Sequence, residues 1–245
     1  KSGFLTPSIN LNFFDTKISQ STSFPYYFNL SEDKELTFTP ILNYGGGVDS
    51  SQRFKFDYNQ ILSGGNFKTN LTFDTTFENK NSEKWFKEGS IINIYDKKID
   101  ERFNLKFSSA LETSKNYIQQ TAPNNDLSYL SSLNTSLDIY GYNFYQVDDK
   151  LRINLTNYQS NQNGENNETL PTIFPSIDFY SGMNKNKYFD YSNNLEFYNI
   201  MRNSPTIIHA KNQRKISSTL NINKEKYKYA TKFNFETNIY NQFFN

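Results

Sequence analysis

Apolar and polar residues alternate along this chain over runs of ten positions or more, and the apolar partner is repeatedly Phe or Tyr. Between Gly65 and Glu78, Phe67, Leu71, Phe73 and Phe77 share one parity with Thr69 and Thr75, whereas Lys68, Asn70, Thr72, Asp74, Thr76 and Glu78 occupy the other. Successive side chains of a strand point to opposite faces, so this spacing predicts a strand with one apolar and one wet face. Strands of soluble domains run about 5–6 residues, while a strand crossing a bilayer at a tilt needs about 9–11. The length of the runs favours an all-β fold, an antiparallel up-and-down transmembrane β-barrel that is apolar outside and hydrated within.

The alternation predicts further strands over residues 4–13, 18–30, 35–43, 50–61, 102–112, 127–139, 143–158, 174–180, 188–201, 207–222 and 227–240, with a weaker one over 88–96. Leaving the weaker one aside, that makes about 11–12 strands at the spacing of a meander. Ser63-Gly64-Gly65 and Gly141-Tyr142 are expected as hairpin turns, and Gly45-Gly46-Gly47-Val48-Asp49 as a loop. Residues 113–126 are expected as a longer loop, and the Asn/Gln/Ser-rich stretch 159–169 as an exposed one. No interior domain boundary interrupts residues 1–245, and both ends fall in strand-like sequence, so the segment is expected to need neighbours to close a large barrel.

Composition narrows the membrane reading to strands. Aromatic residues make up 17% of the 245, with 23 Phe and 18 Tyr against one Trp and two Met, a balance that suits strands better than helix cores. Mean hydropathy is −0.77 and no run approaches the ~18 apolar residues of a spanning helix. Twenty-six basic and 25 acidic residues are scattered without a basic block, which argues against nucleic acid as a partner. With no cysteine, the chain offers no disulfide, thiolate metal site or thiol catalysis. It opens Lys1-Ser2-Gly3-Phe4 without an apolar leader, as though a signal peptide had been removed or lay outside.

Three motifs carry more than a generic pattern: Ser2-Gly3-Phe4-Leu5-Thr6-Pro7, Phe24-Pro25-Tyr26-Tyr27-Phe28-Asn29-Leu30 and Leu36-Thr37-Phe38-Thr39-Pro40, in this order. Looser matches are Gly64-Gly65, Thr113-Ser114-Lys115-Asn116-Tyr117, and Leu170-Pro171 followed by Pro175-Ser176-Ile177. Together these resemble the opening of the barrel of the LptD (OstA) family, the outer-membrane lipopolysaccharide-assembly proteins. Glu35 stands where that family usually has Asp, Lys55 where an Arg is common, and the family's cysteines are absent. The resemblance implies the first half of a larger barrel in the outer membrane of a Gram-negative bacterium, with the family's jellyroll outside this segment. It also implies lipopolysaccharide as cargo, an LptE-like plug lipoprotein, a periplasmic lipopolysaccharide-transport bridge as supplier, and outer-membrane lipid around the barrel.

Proline gives no N–H to a ladder and is normally confined to sheet edges and bulges, so Pro7 and Pro25 in adjacent strands weaken their pairing. In the family such prolines are thought to loosen a lateral gate; the bland alternative is that they merely sit near strand ends. Pro40 reads as a strand terminator. On the polar parities, Arg53, Lys55, Asp57, Lys68, Asp74, Lys150 and Arg152 are candidates to line the lumen, either for a phosphorylated, sugar-bearing lipid or simply as a hydrated wall. Trp85 and the Tyr residues suit interfacial girdles, or ordinary strand filling.

No catalytic, metal or cofactor site is expected. His209, the single histidine, lacks a Ser or acid at triad spacing, and Asp148-Asp149 sits beside a turn. The function classes left open are a lipopolysaccharide-translocating barrel without enzymatic activity, a general porin or receptor barrel, and a soluble β-sandwich carbohydrate-binding module whose aromatics would form a sugar platform. An outer-membrane hydrolase is the remotest.

Overall fold

The computed structural model describes residues 1–14, 17–45, 51–76, 86–122, 125–162, 166–185, 190–202, 212–223 and 232–243. Most of them are strand. The long ones are β5 (Lys34–Gly45), β6 (Ser51–Leu62), β7 (Gly65–Thr76), β8 (Phe86–Lys98), β9 (Phe103–Glu112), β10 (Ser132–Tyr142), β11 (Lys150–Ser160), β12 (Thr172–Tyr180), β14 (Asp190–Met201), β15 (Asn212–Asn223) and β16 (Lys232–Phe243). Shorter pieces are β1 (Gly3–Phe4), β2 (Ser8–Phe14), β3 (Lys17–Ser23), β4 (Tyr26–Ser31) and β13 (Asn184–Lys185). Most long strands run 10–13 residues, enough to cross hydrocarbon at a tilt. No helix of the described residues is long and apolar enough to cross a membrane.

The chain folds into two compact units. The first comprises Lys1–Tyr95, Ser108–Leu133 and Asn161–Asn163; the second comprises Asp96–Phe107, Asn134–Ser160 and Gly164–Asn245. In the first, the strands follow the order β1-β4-β5-β6-β7-β8, with β2 on β3 and β3 on β5. In the second, the order is β10-β11-β12-β14-β15-β16, with β13 on β14. Neighbours in sequence are neighbours in the sheet and the pairings are antiparallel, as an up-and-down meander requires. Each unit is an open sheet among the described residues.

Burial is inverted with respect to an ordinary soluble core. Among the described residues the fully enclosed set is mainly polar, with Thr72, Asp74, Ser90, Ser109, Glu112, Ser136, Asp138, Asn154, Thr156 and Ser192 among its members. The buried hydrophobic residues are Ala110, Tyr117, Ile118 and Leu133. On the opposite parity, Ile9, Leu11, Leu30, Leu71 and Leu195 are exposed. Phe38, Phe54, Phe56 and Phe73 form a ladder of ring contacts at 4.8–6.1 Å between adjacent strands, and none is buried. A sandwich would put these rows inside; here the wet parity is the enclosed one, the polarity of a barrel facing lipid.

Several expectations are corrected. Residues 18–30 are not one strand: the ladder breaks at Phe24-Pro25, between β3 and β4. Pro40 does not terminate a strand but sits inside β5, paired with Phe54. Residues 88–96 belong to a strand as firm as the rest, β8. Residues 113–126 contain a helix, α1 (Tyr117–Thr121), because Ile118 can join Ala110, Leu133, Ile92 and Leu127 in the one apolar cluster of the first unit among the described residues. The alternation after Asp126 begins as a 3-10 turn (Asp126–Tyr129), capped by the Asn125 side chain, and β10 starts only at Ser132.

Gly141 and Tyr142 lie in β10, and the turn runs through 143–149 instead. There the enclosed Asp149 carboxylate accepts the N–H groups of Phe144, Tyr145 and Gln146 at 2.8–2.9 Å, and Asn143 and Asp148 adopt left-handed φ. Those hydrogen bonds outcompete a ladder that the Tyr145/Val147 alternation would otherwise have continued. In the loop 159–169, Ser160 and Asn161 are enclosed rather than exposed, and Asn161 donates to the Leu130 carbonyl at 3.1 Å. The hairpin turn at Ser63-Gly64 stands as read, with Leu62 opposite Gly65 and Gly64 at φ 79°. Trp85, His209 and the loop residues Gly46 to Asp49 lie outside the described residues.

Candidate functional site

The first hairpin positions Pro7 and Pro25 at one level. Below them, β1 pairs β4 through Gly3 with Tyr27 and Phe4 with Tyr26; above them, β2 pairs β3 from Ser8 with Ser23 to Phe14 with Lys17. Residues 5–7 therefore face only residues 24–25, one residue more on the first strand than on the second, which is the count of a β-bulge. Backbone bonds at this level are Leu5 N–H to the Pro25 carbonyl at 2.9 Å and Phe24 N–H to the Pro40 carbonyl at 3.1 Å. Pro7 stands directly before β2 and Pro25 directly before β4, where the two paired stretches of the first hairpin are interrupted.

On the polar face of the first unit, β6 and β7 bring Arg53 opposite Asp74, Lys55 opposite Thr72, Asp57 opposite Asn70 and Asn59 opposite Lys68. Arg53, Lys55, Asp57 and Lys68 line a hollow of about 560 Å³, bordered also by Ile118 and Thr121 of α1 and by Ala122 just beyond it. Asp74 lies at its edge: Arg53 grips it with two bonds, Nε to Oδ1 at 2.7 Å and Nη2 to Oδ2 at 2.9 Å. Tyr117, fully enclosed, donates its hydroxyl to the same Oδ1 at 2.8 Å while its ring lies 5.7 Å from the Arg53 guanidinium. Burial raises the Tyr117 pKa well above the ordinary phenol value, and the Asp74 carboxylate adds to the effect, so Tyr117 acts as a fixed donor. Lys55 and Asp57 pair at 3.0 Å in the open, and Glu35 accepts from Tyr27 at 3.0 Å and Asn59 at 2.9 Å.

At the foot of α1, Glu112 accepts the N–H groups of Ile118 and Asn116, and Asn116 holds the left-handed φ that turns the chain back over the sheet. Tyr117 was invisible to strand periodicity because it sits in a polar stretch; its one sequence signal is the Thr113–Tyr117 motif.

In the second unit, Arg152 meets Asp138 at 3.0 Å and lies 5.7 Å over the Tyr140 ring, beside a separate polar hollow of about 440 Å³ lined by Ser136, Asn154, Thr156 and Ser176. Asn154 donates to the same Asp138 oxygen at 3.0 Å. Lys150, the first residue of β11, sits apart from that hollow, near Tyr142, Asp178 and Tyr180. Sequence reasoning named Arg152 but missed Asp138 and Asn154, which complete its network. Among the described residues, no group of three or more His, Cys, Asp or Glu side chains is placed to hold a metal ion.

No known family profile matches the chain. It is 26% identical over 145 residues to the LPS-assembly protein LptD of Hahella chejuensis, a stretch that covers 57% of this chain and 16% of that protein. The chain therefore spans only a small part of the length of the curated relative it matches.

Proposed function

We propose that this chain is a wall segment of an outer-membrane β-barrel that passes lipopolysaccharide into the outer leaflet through a lateral opening at its first hairpin. The observation that carries this reading is the conjunction of inverted burial with a gap in the ladder at Pro7 and Pro25. Inverted burial suits a wall between lipid and water. A gap at the margin of such a wall is where an amphiphile leaves sideways, its acyl chains entering hydrocarbon while its sugars travel along the wet face. The similarity to LPS-assembly protein LptD supports the same cargo. In this reading Arg53, Lys55, Asp57, Lys68, Asp74, Lys150 and Arg152 face the aqueous path. An LptE-like plug lipoprotein and a periplasmic lipopolysaccharide bridge complete the machine, and the segment carries no enzymatic activity.

The test is depletion of the intact protein in its own cell, with newly made lipopolysaccharide followed at the cell surface. Loss of surface lipopolysaccharide, with material accumulating inside, is the expected result. Normal delivery combined with loss of small-solute uptake would replace this reading with a general porin. A protein that stays monodisperse without detergent or lipid would remove the barrel itself.

A further inference from the structure

The turn 143–149 holds two apolar side chains out in the open: Tyr145 is 83% exposed and Val147 76%. Its backbone, by contrast, is set from within. The enclosed Asp149 carboxylate takes the N–H groups of Phe144, Tyr145 and Gln146, and the Asn143 side-chain oxygen takes that of Asp148 at 2.7 Å. Gly182 lies against the turn so closely that a Cβ there would stand 2.6 Å from the Val147 carbonyl oxygen. Tyr145 and Val147 are therefore presented by a hydrogen-bonded frame, and their exposure is not the slack of a loose loop.

Phe144 shows which face of the wall the turn joins. The charged face of the second unit carries Lys106, Arg152 and Asp178: Lys106 and Arg152 both lie near the Tyr140 ring, and Arg152 stands opposite Asp178. Phe103, Leu151 and Phe179 have the other parity on the same strands. Phe144 packs between Phe103 and Phe179, with ring centroids 5.9 and 6.0 Å away. Gly141 in β10 leaves the room for this, since a Cβ there would meet the Phe103 ring at 2.9 Å and the Leu151 Cβ at 3.3 Å. An aromatic row thus runs from β9 across β10 to β12 at the end of the apolar face, and the chain goes on from it directly into Tyr145 and Val147.

In a wall of this polarity the apolar face meets hydrocarbon, and aromatic side chains at its margin suit headgroup depth. Asp148 is exposed beside Val147, and a carboxylate there has to stay in water, which keeps the turn from going deeper. The neighbouring turn at this end is the short 99–102, joined to β10 by the Tyr142 N–H on the Arg102 carbonyl at 2.9 Å, whereas the longer connection 161–171 lies at the other end. Short turns mark the periplasmic side of an outer-membrane barrel.

From this we infer that the turn 143–149 is a preformed membrane anchor that seats Tyr145 and Val147 among the lipid headgroups of the periplasmic leaflet. The inference rests on the membrane-wall reading above and adds to it a lipid contact on the outside of the wall, separate from any path of the cargo. Lipid is the occupant because the turn continues the apolar face through Phe144 rather than the charged face through Arg152.

The test is fluorescence quenching in the intact protein, reconstituted in bilayers of phosphatidylcholine brominated either high or low on its acyl chains, with the emission of the unchanged protein subtracted. Tyr145→Trp and Val147→Trp probe the turn at exposed positions that tolerate a larger ring, and Ile153→Trp, on the apolar parity within β11, probes the middle of the wall. Both turn probes are expected to be quenched roughly twofold more by the high bromine than by the low one, and Ile153→Trp more by the low one. Turn probes that neither lipid quenches, beside a quenched Ile153→Trp, overturn the anchor and leave the wall standing; a turn reserved for a protein partner would give that result. Turn probes quenched most by the low bromine overturn the headgroup depth. Quenching at none of the three positions removes the membrane-wall reading itself.

Discussion

The first hairpin and the β6–β7 hairpin belong to the same unit and are written in the same alternating code, yet they are built to different strengths. From Ser51–Thr76 to Leu62–Gly65, β6 and β7 pair without a break. The first hairpin keeps two pairs, skips a bulge and resumes for seven residues a side. Its polar face also differs. β6–β7 carries the enclosed Arg53–Asp74–Tyr117 network, whereas Ser8 and Ser23, at the start of β2–β3, share an exposed hydroxyl contact at 2.7 Å. Two-faced alternation places a segment in the wall, and ladder continuity and enclosed ion pairs decide how firmly it stays there.

The sharpest way to erase the difference is to give β7 a proline. Leu71→Pro changes an exposed apolar position, so its effect isolates the lost rung and the partner left unsatisfied; a loss on the order of 3 kcal/mol is expected in denaturant unfolding of the detergent-solubilised protein. Arg53→Met attacks the polar side of the same hairpin and leaves the Asp74 carboxylate enclosed without its cation. A loss of about 3 kcal/mol is expected by the same assay, with Asp74→Asn in the Arg53→Met background recovering part of it.

In the opposite direction, Pro25→Ala returns a donor facing Leu5 and should stabilise the first hairpin by about 1 kcal/mol, read as slower amide exchange at residues 3–5 and 24–27. A destabilised hairpin would mean that the bulge, not the missing donor, governs the gap. Smallest of all is Lys55→Met. Its pair with Asp57 is about two-fifths exposed on both sides, so the unfolding free energy should change by less than about 0.5 kcal/mol, in contrast to Arg53, about 7 Å of strand rise away on the same face.

The turn 143–149 offers a pH test independent of both hairpins. Burial alone would raise the Asp149 pKa, but the backbone N–H groups converging on its carboxylate outweigh burial and hold it below the ordinary carboxylate value. Since the folded pKa lies below the unfolded one, about 3.9, the stabilisation is complete above that value and is lost as pH falls through the folded pKa. The difference in unfolding free energy between the native protein and Asp149→Ala should therefore be flat from neutral pH down to about 5 and shrink only in stronger acid. A difference that already falls between pH 7 and 5 would mean that another group controls the turn.

Much of the wall was legible in the chain. Period-2 alternation is a local property, and its long runs over β5, β6 and β7 fixed both the strands and the parity that is enclosed. The charged positions on that parity were legible for the same reason, which is why Arg53, Lys55, Asp57 and Lys68 turn up around one hollow. What interrupts a strand was not. Residues 143–149 keep the alternation but lose the ladder to the Asp149 carboxylate, and 117–121 become helix because Ile118 finds an apolar cluster assembled from β9 and β10.

The clearest contrast is among the prolines. By itself, the sequence determined that Pro7, Pro25 and Pro40 lack N–H donors and fall among alternating residues, and that this chain builds two-faced antiparallel strands. Only the tertiary structure decided that the Pro25 and Pro40 carbonyls receive the Leu5 and Phe24 N–H groups at one level, because that depends on which residue lies across the sheet from which. Register is set by pairings between distant segments, and no period within a single strand encodes it.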